Sequence, residues 1–132
     1  MSGIKNLDLL LQSMSPELMA GDYVFCTVDG ALKDYLHLDP LATFREPEGL
    51  TLVLEAEKAQ QAGLESSALF RLITLTVHSS LEAFGLTAAS ASKLAEHGIS
   101  ANVIAGYYHD HIFVQKEKVQ QALLALGEFA EA

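Results

Sequence analysis

From the N-terminus onward the chain alternates between helical and strand periodicity. Leu7, Leu10, Leu11, Met14 and Leu18 recur at three- and four-residue spacing, with Lys5, Asp8, Gln12 and Ser13 between them. This predicts an amphipathic helix over 5–14, stopped by Ser15-Pro16. Residues 22–29 (DYVFCTVD) are β-branched and aromatic and end on Asp29-Gly30, the pattern of a strand running into a turn. A short helical or irregular piece over 31–37 is broken at Asp39-Pro40. Residues 42–45 and 50–54 read as two strands joined across Glu46-Pro47-Glu48-Gly49, and 55–62 as a helix closed by Gly63.

The second half runs through the same elements. Residues 69–77 (LFRLITLTV) read as a strand, and Thr87 caps a helix running to His97 with Gly98 as its stop. Ala88, Ala91, Leu94 and Ala95 form the inward face of that helix, small enough to lie close against a sheet. Strands over 99–104 and 111–114 flank Gly106-Tyr107-Tyr108-His109-Asp110. A helix over 116–130 turns Val119, Ala122, Leu123, Leu126 and Ala130 inward. The two halves also agree residue by residue. Glu57-Lys58-Ala59-Gln60-Gln61-Ala62 matches Glu117-Lys118-Val119-Gln120-Gln121-Ala122 at five of six positions, an offset of 60, and Leu52-Val53-Leu54 matches Ile112-Phe113-Val114 at the same offset. The opening strands match more weakly at an offset of 49. Two offsets in one element order point to duplication.

The prediction is therefore an α+β protein of two tandem ferredoxin-like (βαββαβ) lobes, 1–66 with an added N-terminal helix and 67–132. Each is an antiparallel sheet with its helices on one face. At 132 residues the lobes are undersized, which implies that the strand over 69–77 closes the first while opening the second. The bare sheet faces call for pairing of lobes or a homodimer.

Composition narrows the function. Half the residues are apolar, enough for a sizeable core. Eight basic against seventeen acidic residues give a net charge of −9, which argues against binding nucleic acid or an anionic membrane. The excess is lopsided, with four bases and eleven acids in 1–66 but four and six in 67–132. An acidic first lobe suits a cationic group on a ligand. The lone Cys26 excludes an internal disulfide and any cysteine-rich zinc module. With no signal-like opening segment, and no uncharged apolar run near the roughly 18 residues of a membrane span, the expected location is the cytoplasm.

Candidate chemistry concentrates where the first strand of each lobe delivers the chain to a helix, because unpaired N–H groups there favour a carboxylate or phosphate. Those junctions are Asp29-Gly30-Ala31 and His78-Ser79-Ser80. Asp29 could take an α-ammonium group, while Gly30, Ser79 and Ser80 could offer donors to a carboxylate; equally, Asp-Gly is a common turn and Ser-Ser a polar loop. Asn102, near the start of the next strand, is a polar amide that needs partners, either the loop after the first strand or a ligand held there. His109-Asp110-His111 invites a metal. However, the plan places His78 and His109 at opposite sheet ends, about 20 Å apart, and two ligands do not make a zinc site. His97 ends a helix, where an imidazolium suits the dipole. His78 beside Ser79 and Ser80 forms no aligned nucleophilic dyad, and no strand-to-helix elbow is visible. Neither a catalytic residue nor a cofactor is expected.

The stretches Thr76-Val77-His78-Ser79-Ser80-Leu81-Glu82-Ala83, Gly85-Leu86-Thr87-Ala88-Ala89, 98–106 and 107–114 resemble an ACT domain, the small regulatory fold that senses amino acids. The likeness is closest to short bacterial two-lobed ACT-like proteins of unassigned function, related to the ACT pairs of CASTOR-type sensors. It covers about half the chain, and 21–63 resembles the N-terminal lobe of such proteins less sharply. The resemblance implies a non-catalytic module that binds a small amino acid or related metabolite at a lobe or subunit interface and acts through an unidentified protein target. Ligand contacts are implied at His78, Ser79, Ser80 and Leu81, with Ala101 and Asn102 opposite, and at Asp29, Gly30 and Ala31 in the first lobe. Two departures stand out: no catalytic or DNA-binding domain accompanies the lobes, and the usual glycine after the first strand is absent at Ser79-Ser80. Two other classes compete with this reading, a ligand-independent module docking through its sheet face and a metalloenzyme using His109 and His111.

Overall fold

The N-terminal helix forms over Leu7–Ser13 (α1) and ends ahead of Pro16, which has no N–H to continue it. The next segment is a strand, although the periodicity assigned Leu18 to the helical face. Strand β1 (Ser15–Leu18) pairs antiparallel with residues Ile73 to Thr76, with Pro16 opposite Leu75. Among the described residues β1 has a neighbour on one side only, the position at which a sheet tolerates proline. The computed structural model describes residues 7–76 and 86–131; the expected site residues His78, Ser79, Ser80 and Leu81 lie outside them.

Residues Gly21–Phe70 form one compact unit. Strand β2 (Tyr23–Val28) leads through a 3-10 helix (Leu32–Leu38) to β3 (Ala42–Glu46), β4 (Gly49–Glu55) and helix α2 (Ala56–Gln61). β4 lies between β3 and β2 and is antiparallel to both. The two-residue alternation sends Val24, Cys26, Val28, Leu50, Leu52 and Leu54 to one face, where they bury against Leu38 and Ala59. Gly63, at φ +70°, ends α2 as expected. Strand β5 (Phe70–Thr76) begins by pairing Phe70 with Tyr23 and goes on to pair with β1.

The other unit joins Met1–Ala20 to Arg71–Ala132. After β5 come α3 (Leu86–Glu96), the hairpin β6 (Asn102–Ala105) and β7 (Asp110–Gln115), and α4 (Val119–Gly127), which is flanked by 3-10 turns. The strands lie in the order β1-β5-β7-β6. Ile73, Leu75, Ile112 and Val114 pack on Met14, Leu94, Ile99, Val119, Ala122, Ala125 and Leu126, which puts the helices on one face. The buried face of α3 is Ser90 and Leu94, one turn apart, while Ala88 and Ala95 are exposed. In a run of alanines and serines the phase of the helix is set by the single leucine, and the small residues carry no information. Thr87 does not cap this helix but lies in its first turn, where its hydroxyl donates to Asp110 Oδ2 at 3.1 Å. At the other end α4 passes into the 3-10 turn Glu128–Glu131, which rotates Ala130 outward.

The internal repeat is visible in the backbone. Glu55 and Gln115, 60 positions apart, precede their helices at φ −58°, ψ 135° and φ −57°, ψ 138°.

Candidate functional site

The junction after β2 owes its surroundings to strand register. Val28 pairs with Leu50 and Thr27 with Thr51, which brings the β3–β4 turn alongside Asp29-Gly30. The approach is close: a Cβ on Gly49 would stand 2.7 Å from Thr27 Oγ1 and 3.2 Å from the Val28 carbonyl oxygen, so a side chain there would displace the Thr27 hydroxyl. Gly30 adopts φ +106°, a conformation that disfavours any residue with a side chain. The Tyr35 hydroxyl donates to the Asp29 carbonyl, and the Asp34 N–H to the Ala31 carbonyl at 3.0 Å. A seven-residue 3-10 helix follows, with one of its first N–H groups already used. The junction is therefore not the α-helical N-terminus, rich in free donors, that the strand-to-helix plan implied.

Between junction and turn lies an open cleft of about 270 Å³, lined by Asp29, Gly30, Arg45, Glu46, Glu48 and Gly49 among others. Its size falls just below the ~300–1,000 Å³ common for small-molecule sites. The Thr51 hydroxyl donates to the Glu46 carboxylate. Among the described residues Asp29, Arg45 and Glu48 enter no ion pair, and all three are exposed. One guanidinium thus stands among three carboxylates, one of which also accepts a hydroxyl hydrogen bond. The sequence reading named Asp29 and Gly30 but missed Arg45 and Glu48, although the acidic turn itself was recognised. Their approach to Asp29 follows from the register of β2 and β4, which no local motif encodes. A larger cleft, about 450 Å³, lies beside Gly21 and Asp22. Its one lining base, Lys58, pairs with Glu55 at 3.2 Å and Asp39 at 3.8 Å.

In the second unit Ala101 is half-buried and Asn102, the first residue of β6, is exposed. The amide expected to need internal partners faces solvent instead, because β6 is the last strand in the sheet order. At the start of β7 His111 Nδ1 shares a 2.9 Å hydrogen bond with Oγ1 of the buried Thr74. The far edge of its ring lies against Gly106, where a Cβ would come within 3.0 Å of Nε2. Burial pushes the His111 pKa below its ordinary value, and His109 beside it acts in the same direction. His109 Nδ1 is sealed from solvent without a hydrogen-bond partner among the described residues. Among the described residues no three His, Cys, Asp or Glu side chains converge as metal ligands would. His97, at the end of α3, faces Glu128 at 3.0 Å. Tyr107 and Tyr108 form an exposed edge-to-face pair at the hairpin tip.

Of the residues expected at a site, Asp29, Gly30 and Ala31 share one junction, and Ala101 and Asn102 open one strand. Burial pushes the Cys26 thiol pKa up, which makes it unreactive.

Two successive split-βαβ units, each with its helices on one sheet face, are the plan of a tandem ACT protein. ACT domain models match residues 2–71 and 69–128, so the chain belongs to the ACT domain family. It is similar to a Vibrio cholerae protein of unknown function described as a possible transport protein. The two are 88% identical over 98% of this chain and 99% of the other, with a TM-score of 0.89. An Agrobacterium tumefaciens protein shares the fold at 15% identity, a TM-score of 0.75 and 89% coverage of both chains. The regulatory subunit of aspartate kinase from Thermus thermophilus does so at 10% identity and a TM-score of 0.60, covering 87% of this chain and 95% of its own. No curated protein matches the chain. ACT domains are typically regulatory ligand-binding modules, and among the described residues no helix is long and apolar enough to cross a membrane.

Proposed function

We propose that this protein is a regulatory module without catalysis of its own, which binds a small amino acid or related metabolite and acts through a partner protein. The observation that supports this best is that both halves of the chain match the ACT family. The ligand-contacting residues are Asp29, Gly30 and Ala31 in the first lobe, and His78, Ser79, Ser80, Leu81, Ala101 and Asn102 in the second. As repeats of the sequence the lobes divide near residue 66, although Met1–Ala20 share a compact unit with Arg71–Ala132, and the working form is a homodimer in the cytoplasm. A reducing compartment is compatible with the single buried thiol of Cys26.

The cleft beside Asp29 supports the reading chemically. It offers both a guanidinium for an α-carboxylate and carboxylates for an α-ammonium group. The test is a thermal-shift panel of the common amino acids at millimolar concentration, with mass by light scattering alongside. At least one amino acid is expected to raise Tm in a saturable way. A flat panel overturns the reading, and a stable complex with another protein that forms regardless of amino acids would favour a purely structural adaptor.

A further inference from the structure

We draw no further inference here: the strongest candidate, the edge of β6 with the exposed Tyr107–Tyr108 pair at its hairpin tip, carries nothing because nothing in the structure shows what covers it.

Discussion

Ser90 allows a direct test of how the second unit is held together. It lies on the inner face of α3 with no exposed surface, and its hydroxyl has no hydrogen-bond partner among the described residues. A hydroxyl buried without a partner loses its water and gains nothing in exchange, a cost of about 1–3 kcal/mol. Replacing serine with alanine removes that cost and adds up to about 0.5 kcal/mol of helix propensity. Against this stands the loss of one oxygen's packing contacts, at about 0.1–0.2 kcal/mol for each atom pair. Ser90→Ala is therefore expected to stabilise the protein by roughly 1–2 kcal/mol, which for a chain of this size raises Tm by roughly 3–8 °C. Urea titration followed by far-ultraviolet circular dichroism, with calorimetry to establish whether unfolding is two-state, measures both quantities. Ser90→Val is the counterpart. It also removes the hydroxyl but adds a branched side chain to a filled space, and should destabilise by about 1–3 kcal/mol. An alanine variant no more stable than the parent would refute the reasoning, because it would mean that the hydroxyl is satisfied in solution.

Two further outcomes are expected. Gly106→Ala should cost about 1–3 kcal/mol, because its Cβ would stand 2.9 Å from the His109 carbonyl oxygen and 3.0 Å from His111 Nε2; a urea midpoint equal to the parent's would show that the turn has room. Burial holds the folded-state pKa of His111 below its ordinary value of 6.5, so as pH falls the unfolded chain takes up this proton first. The parent should therefore lose stability relative to His111→Gln between roughly pH 7 and pH 5, and a difference that stays constant with pH would contradict this.

Much of the architecture was readable because strands and helices here are bounded by strong local signals. Asp29-Gly30, Pro47, Gly63 and Gly98 punctuate the chain, and the alternation of Val24, Cys26 and Val28 against Leu50, Leu52 and Leu54 defines a buried face. The repeat at an offset of 60 was a true guide to geometry, as the matching backbone angles at Glu55 and Gln115 show. Strand β1 was not readable. Four residues containing a proline have no strand signal of their own, and their partner lies more than fifty positions away. The phase of α3 was lost for a different reason, since Ala88, Ala91 and Ala95 offer no hydrophobic contrast. At the candidate site Asp29 and Gly30 were legible as a strand-end turn. Arg45 and Glu48 become their neighbours only through the pairing of β2 with β4, which is long-range information.

The pairing of β1 with β5 also sets the order in which the chain can fold. Residues 21–70 have every strand partner in hand once Phe70 is made. Residues 15–18 must wait for 73–76, so that closing the intervening loop costs chain entropy on the order of 3–4 kcal/mol. At ribosomal rates of about 5–20 residues per second the wait lasts several seconds. Throughout it Met14, a core residue of the finished unit, has no strand to pack against. Residues 15–18 are thus synthesised before residues 21–70 but can be paired only after them.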